Sequence, residues 1–244
     1  MSEEPFFPNP YVTLRDTGER LSVRKILGVG RNYAKHVDEM AQRGMGARGR
    51  GGEGAEVGST APPVLFMKPP TAIVHDGGTV LLPAGYGELH HEVELVAVIG
   101  KPGRRIPPEQ ALDHVLGFAV GLDMTLRDLQ AEAKERGEPW MLAKGFDTSA
   151  PVSLLARKEE VGDGSGLAIT LAVNGVRRQE ANTSQMVHSV AALVSWASAL
   201  ITLEEGDLLF TGTPEGVAAV APGDLLEARI EKVGELRVRV AAGT

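Results

Sequence analysis

Glu92 and Glu94 lie two residues apart in the run HHEVELVAVIG (90–100). The residues after them are apolar and β-branched, so the run reads as a strand. Strand side chains alternate between faces, so positions i and i+2 share one. Two carboxylates on one face at the head of a buried strand repel each other and lose hydration. Such a pair is tolerable where it meets water or holds a hard cation with oxygen ligands. On spacing alone, a solvated face is the ordinary explanation. Two features favour the cation. The run after Glu94 stays apolar without alternation, the mark of a strand covered on both faces. A third carboxylate, Asp123, follows a second such run, VLGFAVGL (115–122). Three carboxylates, with water or substrate completing an octahedron, suit Mg²⁺ or Mn²⁺.

Other groups could work beside such a centre. His36 and Glu39 stand at i and i+3, so on a helix they share a face. A histidine oriented by a carboxylate is a competent general base near neutral pH. The same spacing also fits an ordinary polar surface helix. Lys144 lies among apolar neighbours in WMLAKGFD (140–147). A lysine buried there needs an anion, either a structural carboxylate or a substrate oxyanion. The segment TGTPEG (211–216) follows a strand and is rich in main-chain N–H groups and hydroxyls. It is either a carboxylate-holding turn or simply a tight one. His90 and His91 adjoin the carboxylates and could be ligands, but a structural role or one supporting the ligands is the reading taken.

Several chemistries are excluded. The chain has no cysteine, which removes disulfides, thiol catalysis and Cys-ligated zinc. Gly28 and Gly30 lack the third glycine of a dinucleotide fingerprint, since Tyr33 stands in its place. Neither a zincin helix nor a nucleophile elbow is present. A net charge of −7 argues against a nucleic-acid partner.

These residues need a frame. The 244-residue length fits a short N-terminal appendage over 1–25 and a main domain over 26–244. Strands are expected at 11–14, 26–30, around 64–68, 79–83 and 92–99, at 115–122, and repeatedly after 205. Asn174-Gly175 is a hairpin signal between strands at 167–173 and 176–179. Helices are expected over 107–114, 126–136 and 184–200, with Asn32 capping another near His36. The Gly/Arg-rich stretch 41–62 has few apolar residues and reads as a mobile lid loop beside His36 and Glu39. Strands dominate without regular βαβ alternation, so the fold class is α+β and β-rich. The longest apolar stretch is too short to span a bilayer and no targeting segment is visible, so the expected location is cytoplasmic, with no membrane partner.

Taken together, the motifs resemble the fumarylacetoacetate hydrolase family. They are GRNYAKH (30–36), KP (68–69), HEVEL (91–95), GLDMTLRD (121–128), WMLAKGFD (140–147), NTSQM (182–186) and TGTPEGV (211–217). The resemblance covers nearly all of 26–240 and is closest to the branch acting on acylpyruvates and oxaloacetate. It implies a mixed β-roll or barrel of the family's C-terminal-domain type, and a homodimer. It implies Mg²⁺ or Mn²⁺ on Glu92, Glu94 and Asp123. It makes Lys144 a partner of substrate and enolate, and His36 with Glu39 a water-activating dyad. It puts Arg31, Tyr33, Arg127 and Gln130 at the substrate and Thr213 at its carboxylate. The implied activity is hydrolysis of a C–C bond in a small 2-oxo acid of the acylpyruvate type, with decarboxylation of oxaloacetate beside it. Isomerisation or decarboxylation of aromatic-degradation intermediates of the 2-hydroxyhepta-2,4-diene-1,7-dioate type is the alternative. A binding protein without catalysis would need a broken ligand set, and every member is present.

Overall fold

Val93–Ile99 is buried at every position and Val115–Leu122 at all but Leu116. The two pair antiparallel, with Glu94 opposite Gly121 and Val93 opposite Leu122. The missing alternation has a direct cause. Leu95, Ala97 and Ile99 enter one apolar core, while Val96 and Val98 enter another on the opposite face. A strand with both faces covered has no use for polar residues.

A computed structural model describes residues 10–36 and 63–243 of the chain. Glu39 and the expected lid loop (41–62) lie outside them. The two central strands belong to an eight-stranded sheet. Its order runs Val64–Lys68, Ile26–Gly30, Leu208–Phe210, Val93–Ile99, Val115–Leu122, Ala150–Val152, Ile73–His75, with Ala156–Arg157 also pairing Val115–Leu122. A five-stranded sheet runs Val176–Asn182, Ala168–Val173, Leu225–Ile230, Gly234–Ala242, Thr79–Leu82. Its residues alternate: Ile169, Leu171, Val173, Leu226, Ala228 and Ile230 face the larger core and their neighbours face out. Most pairings are antiparallel, but Leu208–Phe210 with Ile26–Gly30, Ala150–Val152 with Ile73–His75, and Gly234–Ala242 with Thr79–Leu82 are parallel. The result is the β-rich α+β architecture expected, a curled half-barrel sheet with few helices.

The N-terminal hairpin, Tyr11–Thr13 with Arg20–Ser22, puts Val12 and Leu14 into the second core beside Val96 and Phe210. Asn174 and Gly175 both have positive φ, as a two-residue hairpin turn of the favoured hand requires. Its second strand runs on to Asn182, beyond the expected end.

Three expectations about helices need correction. The helix expected over 184–200 is broken: a 3-10 turn Thr183–Gln185 precedes the α-helix Val190–Leu200. Asn182 and Gln185 form a capping box on the short turn, and Ser189 caps the α-helix at Ala192. Asn32 separates the two. It does not cap a helix; its Oδ1 accepts from His188 N at 2.7 Å, and its carbonyl from Val187 N at 2.8 Å. The segment 107–114 is a 3-10 helix, Pro108–His114. Among the described residues no helix is long and apolar enough to cross a membrane.

Candidate active site

The strand ladder itself assembles the acidic cluster. Glu92 sits one residue ahead of Val93–Ile99, Glu94 within it, and Asp123 just past Val115–Leu122. The ladder gains one more bond at this end, Asp123 N to Glu92 O at 2.9 Å, which sets Asp123 beside Glu92. Each of the three carboxylates offers an oxygen within 4.8 Å of the others, and all three are buried. A side chain at Gly121, opposite Glu94, would bring its Cβ to 2.5 Å from Val96 Cγ2 and 2.6 Å from the Phe210 ring. Glycine is what lets the sheet pack this closely beside the acids.

Three buried cations face these carboxylates. Lys144 Nζ lies 2.8 Å from Glu92 Oε2, 2.5 Å from Asp123 Oδ2 and 2.8 Å from Thr125 Oγ1. Lys68 Nζ is 2.7 Å from Asp123 Oδ1 and donates to the carbonyls of Met124, Ser149 and Lys144. Arg127 binds Glu92 Oε1 through Nη2 and donates to Gln130 Oε1 through Nη1 at 2.6 Å. Among the described residues no cation touches Glu94. It accepts the Gly212 N–H at 2.7 Å. Gly212 has φ +97, and a Cβ there would lie 2.8 Å from Asn32 Cβ, so the turn that supplies this N–H needs its glycine.

The electrostatics follow from this unequal pairing. Burial works against the Glu92 charge, but Lys144 and Arg127 outweigh it and hold the carboxyl well below its usual range. Burial, then the Asp123 and Glu92 charges, push Glu94 well above its usual range. Burial draws Lys144 down, but Asp123 and Glu92 more than compensate and its ammonium is strengthened. Burial prevails at Lys68, which is lowered despite Asp123. Glu92 and Asp123 thus share one ammonium, while among the described residues Glu94 has no cation against it. An all-oxygen donor set in this state fits a hard divalent cation: the Lys144 ammonium already stands as a cation on two of the three carboxylates.

The remaining expected residues are placed as follows. His36 is buried in the helical residues 34–36. Tyr33 is buried, and its phenol is raised first by burial and then by the Glu94 charge. Arg31 is exposed, with φ 65. Gln130 is buried against Arg127. Thr213 is present, but its hydroxyl is already used: it donates to Val93 O at 2.8 Å and accepts from Gln179 Nε2 at 2.9 Å. A substrate carboxylate would meet the main chain of this turn. His91 is fully buried and His90 nearly so, and neither belongs to the acidic cluster.

Residues 25–241 match the fumarylacetoacetate (FAA) hydrolase C-terminal family. The chain belongs to the fumarylacetoacetate hydrolase family. Among curated relatives, the rat protein named oxaloacetate tautomerase FAHD1, mitochondrial, is 46% identical over 89% of this chain and 91% of its own length. The crystal structure of fumarylpyruvate hydrolase from Pseudomonas aeruginosa, in complex with Mn²⁺ and pyruvate, is 41% identical, with a TM-score of 0.86 over 98% of this chain and all of that one. The structure of 5-carboxymethyl-2-hydroxymuconate delta-isomerase from Mycobacterium smegmatis is 35% identical, with a TM-score of 0.77 over 92% of this chain and 81% of that one.

Sequence reasoning left three further contributors of this family member without a role. Lys68 appears as the end of an expected strand and in the KP motif (68–69), with no role assigned to it. Thr125 lies inside the GLDMTLRD motif (121–128), with no role of its own assigned. Lys134 is one of several charges on a polar helix, yet it shares a face with Arg127 and Gln130 at i, i+3 and i+7 along Arg127–Arg136. Its Nζ sits 5.2 Å from the centre of the Trp140 ring. Burial, then Arg127 and Arg31, bring its ammonium down to about 8.

Proposed function

We propose that the protein is a divalent-metal-dependent hydrolase that cleaves the C–C bond of acylpyruvate-type 2,4-dioxo acids and also decarboxylates oxaloacetate. The buried triad of Glu92, Glu94 and Asp123 carries this reading. The Mn²⁺ and pyruvate held by the Pseudomonas relative support it. Mg²⁺ or Mn²⁺ on the triad would act as a Lewis acid on the substrate's 2-oxo acid group, favouring its enolate. Lys144 places an ammonium beside the developing enolate charge. Arg127 and Gln130 orient the substrate, and the 211–216 turn receives its carboxylate. His36, with Glu39 as its partner in this reading, takes a proton from water. Hydroxide adds to the 4-oxo carbon and the C3–C4 bond breaks, with the electron pair delocalised into the pyruvate enolate. Protonation at C3 completes the reaction.

The oxaloacetate tautomerase relative favours a second reading, in which the same enolate is formed and reprotonated without water addition. Isomerisation of an unsaturated polycarboxylic acid, named for the mycobacterial relative, has the same requirement. Turnover across acetylpyruvate, fumarylpyruvate, oxaloacetate and a dienoic diacid, with Mg²⁺ and Mn²⁺ compared, separates these readings. His36→Ala is expected to lose hydrolysis by about 10²-fold or more, the usual worth of a positioned base, and decarboxylation by much less. Equal losses in the two assays would contradict water activation.

Arg31, Arg127 and Lys134 also suit a substrate with a second carboxylate. Lys134 is charged below about 8 and neutral above it. KM for oxaloacetate should therefore rise as pH passes upward through that value, by about fivefold for roughly 1 kcal/mol of lost attraction. In Lys134→Met the KM should be high and flat across the same range. A wild-type profile that is already flat would remove Lys134 from substrate recognition.

Homodimeric assembly belongs to the same reading. Met67, Met141 and Leu142 are exposed, and they lie at a cleft of about 560 Å³ lined by Phe66, Pro69 and Trp140 or adjoin it in sequence. A second copy would cover this apolar surface. Sedimentation equilibrium should give twice the 25.8 kDa chain mass, and a monomer at micromolar concentration would refute it.

A further inference from the structure

Gln179 is the sole fully buried residue of Val176–Asn182, an otherwise polar strand. Its side-chain amide makes four hydrogen bonds. Oε1 accepts from Val93 N at 3.1 Å and meets His91 Nδ1 at 3.0 Å. Nε2 donates to Thr213 Oγ1 and to Pro214 O, both at 2.9 Å. The orientation of the amide is not arbitrary. The Val93 main-chain N–H can only donate, so an oxygen must face it, and the Pro214 carbonyl can only accept, so the NH₂ must face that.

Two consequences follow from that orientation. The Gln179 oxygen can only accept, so His91 Nδ1 must carry a proton and the ring tautomer is set. His91 Nε2, buried and without a hydrogen-bond partner among the described residues, is then left as an acceptor. A buried orphan acceptor is more easily tolerated than a buried orphan N–H. The second consequence is a closed ring. Val93 N–H binds Gln179 Oε1, Gln179 Nε2 binds Thr213 Oγ1, and Thr213 Oγ1 donates to Val93 O at 2.8 Å. Both main-chain polar groups of Val93 are therefore held from one amide and one hydroxyl. Val93 is the residue between Glu92 and Glu94, so its placement sets where both carboxylates point.

We infer that Gln179 is a positioning residue that joins the two halves of the site, its oxygen fixing the Glu92–Glu94 backbone and its nitrogen fixing the 211–216 turn. The inference rests on the metal-binding reading above and adds to it a division of labour within one side chain. Outer hydrogen-bond partners of metal ligands commonly tune affinity in this way.

The test uses the full-length protein and two variants. Gln179→Met keeps the length of the side chain and removes all four hydrogen bonds. Gln179→Glu keeps acceptor oxygens for Val93 and His91 but, when ionised, cannot donate to Thr213 or Pro214. Mn²⁺ binding is followed by electron paramagnetic resonance, which needs no turnover, and KM and kcat are measured with oxaloacetate. In Gln179→Met the Mn²⁺ Kd should rise by about 10- to 100-fold. In Gln179→Glu the Kd should return to within about threefold of wild type while KM stays raised by about tenfold, the loss expected when the turn is released from its hydrogen bonds. A residue that merely fills the core would lower the unfolding temperature and leave Kd and KM unchanged in the protein that remains folded, which would overturn the inference. Should Gln179→Met fail to fold, Gln179→Glu decides: wild-type values of both Kd and KM would overturn it. Wild-type protein that binds no Mn²⁺ would overturn the metal-binding reading itself, an outcome distinct from a wild type that binds and variants that match it.

Discussion

Asp123→Ala is expected to abolish cation binding, to remove most of the turnover and to destabilise the fold. Asp123 is the one carboxylate shared by two lysines, with Oδ1 on Lys68 and Oδ2 on Lys144. Both ammoniums are buried, so removing their common anion strands two charges in the interior. Breaking a buried ion pair by deleting one partner costs about 3–5 kcal/mol. Lys68 is already lowered by burial and would lose the charge that most opposes it. Turnover should fall by about 10³-fold or more, since both the cation and the placement of Lys144 are lost. Urea unfolding and a steady-state assay with Mg²⁺ measure the two effects. Asp123→Asn, which keeps the volume and one carbonyl oxygen, should recover part of the stability and none of the turnover. An Asp123→Ala protein that keeps a substantial fraction of wild-type activity would remove this residue from the cation site.

Lys144→Met should behave in the opposite way toward the metal. Lys144 Nζ occupies Glu92 Oε2 and Asp123 Oδ2, oxygens that a divalent cation would also use. Without the ammonium the carboxylates are left unbalanced when no cation is bound, so the metal-free protein should lose about 3–5 kcal/mol. Added Mn²⁺ should restore that stability through preferential binding to the folded state. The Mn²⁺ Kd should be equal to that of wild type or lower. The rate should nevertheless fall by about 10²- to 10³-fold, the usual worth of one charge or donor aimed at a developing oxyanion. Calorimetry with and without Mn²⁺, together with kcat, separates the two roles. A folded Lys144→Met protein that no longer binds Mn²⁺ would mean that the lysine supports the ligand set and does not compete with the cation.

Much of the site was legible in the sequence because its acids lie on short, strongly patterned strands. Glu92, Glu94 and Asp123 flank two continuously apolar runs, and such runs are covered on both faces. The β-rich class and the Asn174-Gly175 hairpin were legible for the same local reasons. What was not legible depends on contacts far apart in the chain. Lys68 reaches Asp123 across 55 positions of sequence, and nothing in its own neighbourhood marks it as buried. Gln179 sits in a polar strand where every neighbour suggests solvent. The helix expected over 184–200 breaks because Asn32, more than 150 residues away, takes the main-chain N–H groups of Val187 and His188. Thr213 is expected at a substrate carboxylate, yet its hydroxyl bonds Val93 and Gln179, which local sequence does not reveal.

The central claim is that three buried carboxylates hold a divalent cation that favours the enolate of a 2-oxo acid. Enolate formation can be read without deciding which bond later breaks. The most direct measurement is proton–deuterium exchange at C3 of pyruvate in D₂O, followed by ¹H NMR with Mg²⁺ present. The account predicts enzyme-dependent exchange that stops on chelation with EDTA and is absent in Glu92→Ala. Exchange that persists without the metal or in that variant, or no exchange by the Mg²⁺-loaded wild type, would contradict it.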